Sequence, residues 1–206
     1  DIVLLERKQL TCGTTWHAAG LIAQLRATKN MTRLAKYSQE LYQKLEDETG
    51  LSTGFKRNGS ITVALTNERM EELKRSAAMG RSFGVEIDEI SSREILEKYP
   101  NLNIDDVVGG LWLPKDGQAD PVNITLALAK GARNYGVQII EGVKATDIDK
   151  NNNKVKGVMT SEGYIECDYI VNAGGMWAHE IGKKAGVAVP LHACEHFYIV
   201  TEKIKD

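Results

Sequence analysis

A histidine lies among small residues near the start of the chain. His17 belongs to the stretch GTTWHAAG, residues 13–20, and directly follows Trp16. An imidazole can exchange a proton at physiological pH or bind a metal ion, and small neighbours allow another group to come close to the backbone. The stretch therefore indicates a ligand-contacting loop that leads into a helix. It fits equally a histidine whose hydrogen bonds are satisfied inside a turn or core, and the residues alone leave both interpretations open.

Two further histidines lie near the end of the chain. The stretch LHACEHFYIVTE, residues 191–202, predicts a strand. One face of that strand would carry His192, Cys194, His196, Tyr198 and Val200. Three alternate positions span about 6.6 Å and rarely converge on one ion, so we expect no metal site. A histidine beside a tyrosine on a sheet face favours substrate binding or proton handling, and a half-buried polar face is the alternative.

Two smaller features suggest contacts to a nucleotide. Glu6 closes an apolar strand-like run, as does the acidic residue that holds a ribose hydroxyl in dinucleotide-binding sheets, although the chain contains no GxGxxG turn. A solvated carboxylate at a strand end is the alternative. Gly174 and Gly175 follow a second apolar run and precede a helix. They permit a ligand to approach the backbone, or they form a plain tight turn.

The composition excludes several classes of protein. Hydrophobic residues make up 42% and charged residues 26% of the 206 residues, which is typical of a soluble globular domain. A formal net charge of -2 gives no electrostatic reason to bind nucleic acid or an anionic membrane, and no apolar run approaches the roughly 20 residues of a membrane helix. The three cysteines form no CxxC pair, which argues against a disulfide scaffold. Because the chain begins with Asp1 inside a strand-like run, we expect it to be part of a longer protein.

Alternating strands and helices near both ends indicate an α/β nucleotide-binding sheet. Predicted helices cover 30–49, 67–83, a short segment opened by a capping box at 91–94, 121–135 after Asp120 as N-cap, and about 177–185. Predicted strands include 1–6 as a buried parallel strand, 60–65, a series between 137 and 172, and 191–202. The middle of the chain, 54–115, has the α+β character of an insertion.

Several of these stretches together resemble a known family. LLERKQLTCGTTWHAAGL, PKDGQADP, VNAGGMWA and HACEHFYIVTE, in this order, resemble the sarcosine and dimethylglycine dehydrogenases, flavoproteins of the D-amino-acid-oxidase-like class. The resemblance spans essentially the whole chain. It implies FAD as cofactor, joined covalently through the histidine of the loop, which is His17 here.

The resemblance also assigns roles to individual residues. It implies that the ribose end of FAD is held by Glu6 and Arg7, and that the flavin is lined by Gly13, Thr14, Thr15, Trp16, His17, Ala18, Ala19, Gly20 and Leu21. It places Ala145 near the adenine and Gly174 and Trp177 in the flavin domain. His196 and Tyr198 are implied at the substrate, as the catalytic residues. Phe197 departs from the polar residue often found between them.

The implied reaction is oxidation of an N-methyl amino acid, sarcosine or dimethylglycine, by hydride transfer to the flavin. The resulting iminium yields formaldehyde or passes its carbon to tetrahydrofolate, for which a domain outside this chain is implied. An electron-transfer flavoprotein would accept the electrons if the protein is a dehydrogenase. Oxygen would accept them if it is instead an amine oxidase of the same fold. A regulatory protein like the pyruvate dehydrogenase phosphatase regulatory subunit is the non-catalytic alternative, and we expect such a protein to lack the loop histidine. The expected location is the cytoplasm in a bacterium or the mitochondrial matrix in a eukaryote.

The fold class that follows is α/β, with a Rossmann-like FAD-binding domain and an inserted α+β substrate-binding domain. We assign 1–53 and 116–190 to the FAD-binding domain, and 54–115 and 191–206 to the substrate-binding domain. We expect the FAD-binding domain to be incomplete here, because no glycine-rich first turn occurs in the chain. We expect the rest of the substrate-binding domain to lie outside this chain.

Overall fold

The computed structural model describes residues 1–152 and 154–202. The chain divides into two compact units, one formed by residues 11–135 and the other by residues 1–10 together with the described residues from 136 onward. These units do not follow the predicted domain limits, since residues 11–53 and 116–135 group with the inserted segment. Contacts group residues by packing, whereas the predicted domains group them by ligand, so that assignment stays a prediction. The last residues of the predicted substrate-binding segment, 203–206, lie outside the described part of the chain.

The unit of residues 11–135 contains helices whose starts are fixed by side-chain caps. Its elements are β2 (Leu21–Ile22), α1 (Lys29–Thr49), β3 (Ser60–Ala64), α2 (Asn67–Ser82), β4 (Asp88–Ile90), α3 (Ser92–Lys98), β5 (Gly109–Leu113), β6 (Gly117–Gln118) and α4 (Pro121–Asn134). The hydroxyls of Thr28 and Thr66 accept from Met31 N and Arg69 N, and the Asp120 carboxylate accepts from Asn123 N. The predicted helices are confirmed to within two residues.

The core of this unit lies under a three-stranded antiparallel sheet in the order β3-β5-β4. α2 packs against the sheet through a buried cluster: Ala64, Leu73, Ala77, Val85, Ile87, Leu111 and Leu113. α3 closes a second cluster of Ile90, Ile95 and Val107. The α+β character predicted for 54–115 is confirmed. Two short antiparallel strands, β2 and β6, form a separate ladder that leads from the His17 loop toward α4.

The second unit combines a parallel pair with a meander. β1 (Val3–Glu6) pairs in parallel with β7 (Gln138–Glu141), and β8 (Ala145–Asn151), β9 (Lys154–Thr160) and β10 (Gly163–Glu166) form an antiparallel sheet in the order β10-β9-β8. α5 (Ala178–Ala185) packs against β8 and ends at Gly186 in the left-handed region, φ 70°. No helix in the described residues is both long and apolar enough to cross a membrane.

Three expectations for this unit were wrong. β1 is parallel as predicted, but it is not buried, because Val3 and Leu4 remain 39% and 41% exposed in a two-stranded sheet. The apolar run before Gly174 forms no strand, and Val171 is 89% exposed. Residues 191–202 form no strand either. An apolar or alternating pattern predicts a buried face, but a strand also needs a neighbour for its backbone hydrogen bonds, and no described strand pairs with either segment.

The helix predicted over 30–49 was expected to bury one apolar stripe that includes Met31, Leu34 and Leu45, and this expectation was partly wrong. Leu45 is buried, whereas Met31 and Leu34 are 52% and 58% exposed. The other residues buried on this helix are polar, Thr32 and Gln39. The helix therefore presents to its unit a face that hydrophobic periodicity does not reveal.

Candidate functional site

The loop that carries His17 is a single 3-10 turn rather than the start of a long helix. The turn spans Thr15–His17, with His17 N donating to Thr14 O at 3.2 Å. β2 follows, and the next α-helix begins only at Lys29. The predicted loop is therefore present, and the helix to which it leads is the one predicted over 30–49, which begins after β2.

Trp16 and His17 stack on each other within this turn. Their ring centroids are 3.7 Å apart and the ring planes are inclined by 34°. Trp16 is 55% exposed, which is unusual for the largest apolar side chain. The indole thus holds the imidazole at the surface of the unit instead of burying it in a core. This geometry favours a ligand-contacting histidine over one satisfied inside a core.

Gly20 closes the loop against the chain itself. Its backbone is left-handed, φ 73°, and a Cβ at this position would lie 2.1 Å from Ala119 O. Ala119 N donates to Gly20 O at 2.9 Å. Part of the reason for small residues here is therefore the close approach of two backbone segments, in addition to any ligand.

An open cleft of ≈ 470 Å³ runs along the loop. It is lined by the loop and β2, by Tyr42 of α1, and by the first turn of α4: Thr15, Ala18, Ala19, Gly20, Leu21, Ile22, Tyr42, Pro121, Ile124 and Thr125. Every lining residue is uncharged, and most are small or apolar. Such walls suit the flat face of an aromatic ring system. The uncharged lining and the open shape of the cleft therefore fit an isoalloxazine ring beside His17.

In the second unit, the structure brings together two predicted residues from distant parts of the sequence. The guanidinium carbon of Arg7, directly after β1, lies 4.0 Å from the ring centroid of Trp177. Trp177 ends a 3-10 turn that begins at Gly175, and the backbone N–H of Trp177 donates to Gly174 O at 2.9 Å. This cation–π contact ties the end of β1 to the glycine turn.

The other residues predicted in this unit have defined local partners. Glu6 Oε1 accepts from Lys8 N at 2.8 Å, which leaves its second oxygen for another donor. A Cβ on Gly174 would lie 2.4 Å from Ile181 Cδ1, so a larger residue there would require the Ile181 side chain to move. Ala145 is half-buried at the first position of β8, opposite Thr160.

The two predicted catalytic residues lie in the segment without regular structure. Tyr198 is 56% exposed and its neighbour Phe197 91% exposed. The structure therefore does not place His196 and Tyr198 on one face of a strand, contrary to expectation. Their assignment to catalysis rests on the family resemblance and stays a prediction. In the described residues, no cluster of three His, Cys, Asp or Glu side chains is arranged to hold a metal ion.

Sequence reasoning missed a buried polar cluster beside the loop. Gln24, Gln39 and Asp116 are 3%, 1% and 2% exposed. Asp116 is the last residue of the turn between β5 and β6 in the stretch PKDGQADP, here called the Asp-Gly turn because Gly117 follows it. A carboxylate in a turn ordinarily caps local backbone groups, and nothing in the sequence indicates the distant partners of this one.

Comparison with known proteins identifies the class of this fold and site. The family model described as FAD dependent oxidoreductase (DAO) matches residues 1–206. The chain belongs to this family. The predicted α/β flavoprotein fold is thereby confirmed, as is the resemblance to sarcosine and dimethylglycine dehydrogenases.

Individual relatives agree with the family. The chain is 42% identical to mitochondrial sarcosine dehydrogenase of Homo sapiens over 98% of its length, and 40% identical to mitochondrial dimethylglycine dehydrogenase of Rattus norvegicus over 100%. It is also 40% identical over 98% of its length to the mitochondrial pyruvate dehydrogenase phosphatase regulatory subunit of Mus musculus. The chain spans only 23%, 24% and 23% of these proteins, respectively.

Solved structures show the same fold. L-proline dehydrogenase from P. horikoshii superposes with a TM-score of 0.84 at 32% identity, covering 90% of this chain and 49% of that one. Glycine oxidase from Bacillus cereus gives a TM-score of 0.73 at 28% identity, covering 89% and 52%.

Proposed function

We propose that this chain is part of an FAD-dependent dehydrogenase that oxidises the N-methyl group of an amino acid, sarcosine or dimethylglycine. The observation that carries the proposal is the exposed, stacked Trp16–His17 pair at the edge of an uncharged cleft, in a chain that belongs to the FAD dependent oxidoreductase family. The identity to sarcosine and dimethylglycine dehydrogenases supports the substrate class.

The residues of the loop would hold the flavin. In this proposal Gly13, Thr14, Thr15, Trp16, Ala18, Ala19, Gly20 and Leu21 line it, and His17 carries the covalent bond. In the other unit, Glu6 and Arg7 would bind the ribose, Ala145 would lie at the adenine, and Gly174 and Trp177 would also serve the cofactor. When bound, FAD supplies a two-electron acceptor for a hydride. A covalent link through His17 would prevent loss of the cofactor.

The chain's own part in the reaction is proton handling and orientation. An amine can give up hydride from its methyl carbon only when its nitrogen lone pair is free to form the iminium. We assign His196 to accept the proton of the ammonium or to orient the amine, and Tyr198 to contact the substrate. The substrate loses one hydride and one proton. Water then adds to the iminium carbon, which releases formaldehyde and the demethylated amine, or tetrahydrofolate takes that carbon instead.

The electron acceptor and the location follow from the same proposal. An electron-transfer flavoprotein would accept the electrons in a dehydrogenase, and oxygen would do so in an oxidase. Oxygen uptake measured with an oxygen electrode, with and without an artificial electron acceptor, distinguishes a dehydrogenase from an oxidase.

We propose a mitochondrial matrix location in a eukaryote, by analogy with the mitochondrial relatives, and a cytoplasmic location in a bacterium. Residues 1–53 and 116–190 would serve the cofactor, and 54–115 and 191–206 the substrate.

A non-catalytic role is the second candidate, because the regulatory subunit of pyruvate dehydrogenase phosphatase is as similar as the dehydrogenases are. The histidine in the loop favours the enzyme. A full-length protein that binds no flavin when expressed with FAD would instead favour the regulatory role.

The test is anaerobic reduction of the flavin of the full-length protein by sarcosine or dimethylglycine, followed in a stopped-flow spectrometer. We expect reduction, and we expect His196→Ala to slow it by about 10²-fold or more, the usual contribution of a general base. His192→Ala, four residues earlier in the same segment, is the matched control and should change the rate by less than about threefold. Equal effects of the two variants, or no reduction by either amine, would contradict the proposal.

A further inference from the structure

The carboxylate of Asp116 joins two segments that are far from it in sequence. Its Oδ1 accepts from Gln24 N at 2.9 Å, and its Oδ2 accepts from Ser60 Oγ at 2.7 Å. Gln24 lies just after β2, and Ser60 is the first residue of β3. Asp116 itself is 2% exposed. No ion pair of the described residues includes it, and both of these donors are neutral groups.

The cluster closes on itself through α1. Gln24 Nε2 donates to Gln39 Oε1, and Gln39 Nε2 donates to Lys115 O, the residue beside Asp116. Buried polar atoms are stable only when each finds a partner, and a fully satisfied network specifies a single arrangement. In the described residues no buried side-chain nitrogen or oxygen lacks a partner. The network therefore fixes the position of Gln24 relative to α1 and to the Asp-Gly turn.

Gln24 is the end of the segment that anchors the His17 loop. Gly20 O accepts from Ala119 N at 2.9 Å, and Leu21 and Ile22 pair with Gln118 and Gly117. The ladder is only two residues long on each strand. So short a ladder is weak by itself, since isolated pairs of strands are marginal. The Asp116–Gln24 hydrogen bond extends it at the end away from the loop.

From these contacts we infer that Asp116 is a positioning residue, which holds residues 20–24 in place and thereby presents His17 to the flavin. The inference rests on the proposed function for its link to the cofactor. A role confined to the turn would leave the carboxylate bonded to neighbouring amides, as in an Asx turn. Here both oxygens instead reach residues 92 and 56 positions away.

The first test is hydrogen exchange on flavin-free, full-length protein, read by mass spectrometry on the peptide that contains residues 20–26. Asp116→Ala removes the acceptor of Gln24 N, and we expect exchange in this peptide to become at least about tenfold faster. Asp116→Asn keeps one oxygen for Gln24 N, and its amide can donate to the Ser60 hydroxyl. We expect the exchange rate of this peptide in Asp116→Asn to stay within about twofold of the wild-type rate.

The second test measures the fraction of bound flavin that remains with the protein after acid denaturation. We expect Asp116→Ala to lower it at least about fivefold while Asp116→Asn restores it. Ser91→Ala removes the cap of α3, which lies outside the network, and should leave the fraction unchanged. If Asp116→Ala does not fold, Asp116→Glu replaces it in the test, because the added methylene displaces the carboxylate. We expect Asp116→Glu to lower the retained fraction of flavin at least about threefold.

Wild-type exchange and wild-type flavin retention in Asp116→Ala, or in Asp116→Glu where that variant is needed, would overturn the inference. An equal loss in Ser91→Ala would also overturn it, because it would show a general effect of stability. If wild-type protein retains no flavin in acid, the proposed covalent attachment fails. The exchange measurement still decides whether Asp116 holds the segment, so the two failures are distinguishable.

Discussion

Arg7 and Trp177 stack across 170 positions of sequence, with the guanidinium carbon 4.0 Å from the indole centroid. Both residues were predicted to serve the cofactor, one after a strand and the other after a pair of glycines. Their contact shows that these two motifs meet within one compact unit. It also means that Arg7 has a structural partner of its own, because a guanidinium over an indole face is stabilised whether or not a ligand is present.

This contact should be measurable as a coupling free energy. We expect Arg7→Ala and Trp177→Leu to show an interaction of about 0.5–1 kcal/mol in a double-mutant cycle of urea unfolding, the range for an exposed cation–π pair. The Lys98–Trp112 contact, 4.5 Å from ammonium to centroid, is the internal comparison. Strictly additive effects of the Arg7 and Trp177 variants would mean that the stacking contributes nothing.

The packing around α3 gives a second prediction. Ile95 is 0% exposed and belongs to the cluster with Ile90 and Val107. We expect Ile95→Ala to lower the free energy of unfolding by about 2–5 kcal/mol, because it removes buried methyl groups and leaves a cavity. Leu96→Ala, at a neighbouring position that is 38% exposed, is the matched control and should have the smaller effect. The reverse order would contradict the assignment of α3 to the core.

The capping box of α3 makes stability depend on pH. The pKa of Glu94 is lowered from its usual value of 4.5, first by the hydrogen bond from Ser91 N and then by that from the Ser91 hydroxyl. A carboxyl whose pKa is lower in the folded state stabilises the fold above its unfolded pKa, and this contribution is lost as pH falls through the folded value. We therefore expect wild type to exceed Glu94→Gln in stability at about pH 7, and the difference to shrink at about pH 3.

Urea unfolding at the two pH values measures this difference. Glu97→Gln, on the same helix but outside the capping box, is the control, and its side chain is instead paired with Arg93 at 3.3 Å. A difference between wild type and Glu94→Gln that stays constant with pH would show that the cap contributes through shape alone.

Features with a local cause were predictable from the sequence. Ser91 and Glu94 form the predicted capping box, and Asp120 caps the helix that begins at Pro121. These signals work because the donors and acceptors lie within one turn of each other. The loop around His17 was also predictable, because glycine permits the left-handed backbone that Gly20 adopts there and that other residues rarely adopt.

Features with a distant cause were not predictable. Residues 191–202 alternate as a strand does, yet they form none, because a ladder depends on a partner that the pattern does not contain. Gln24, Gln39 and Asp116 are buried only because α1, β2 and the Asp-Gly turn meet there. Polar residues such as these three predict a solvent-exposed surface, so their sequence pattern predicts the opposite of the burial that the structure shows.

The most direct test of the central claim is to locate the flavin on the full-length protein. The protein is denatured in acid and washed, its flavin absorbance is recorded, and the modified peptide is identified by mass. We expect the absorbance to stay with the protein, and the added mass to map to His17 and to be absent in His17→Ala. Flavin that washes away from the acid-denatured wild-type protein, or that maps to another residue, would contradict the claim that the GTTWHAAG loop is the covalent anchor.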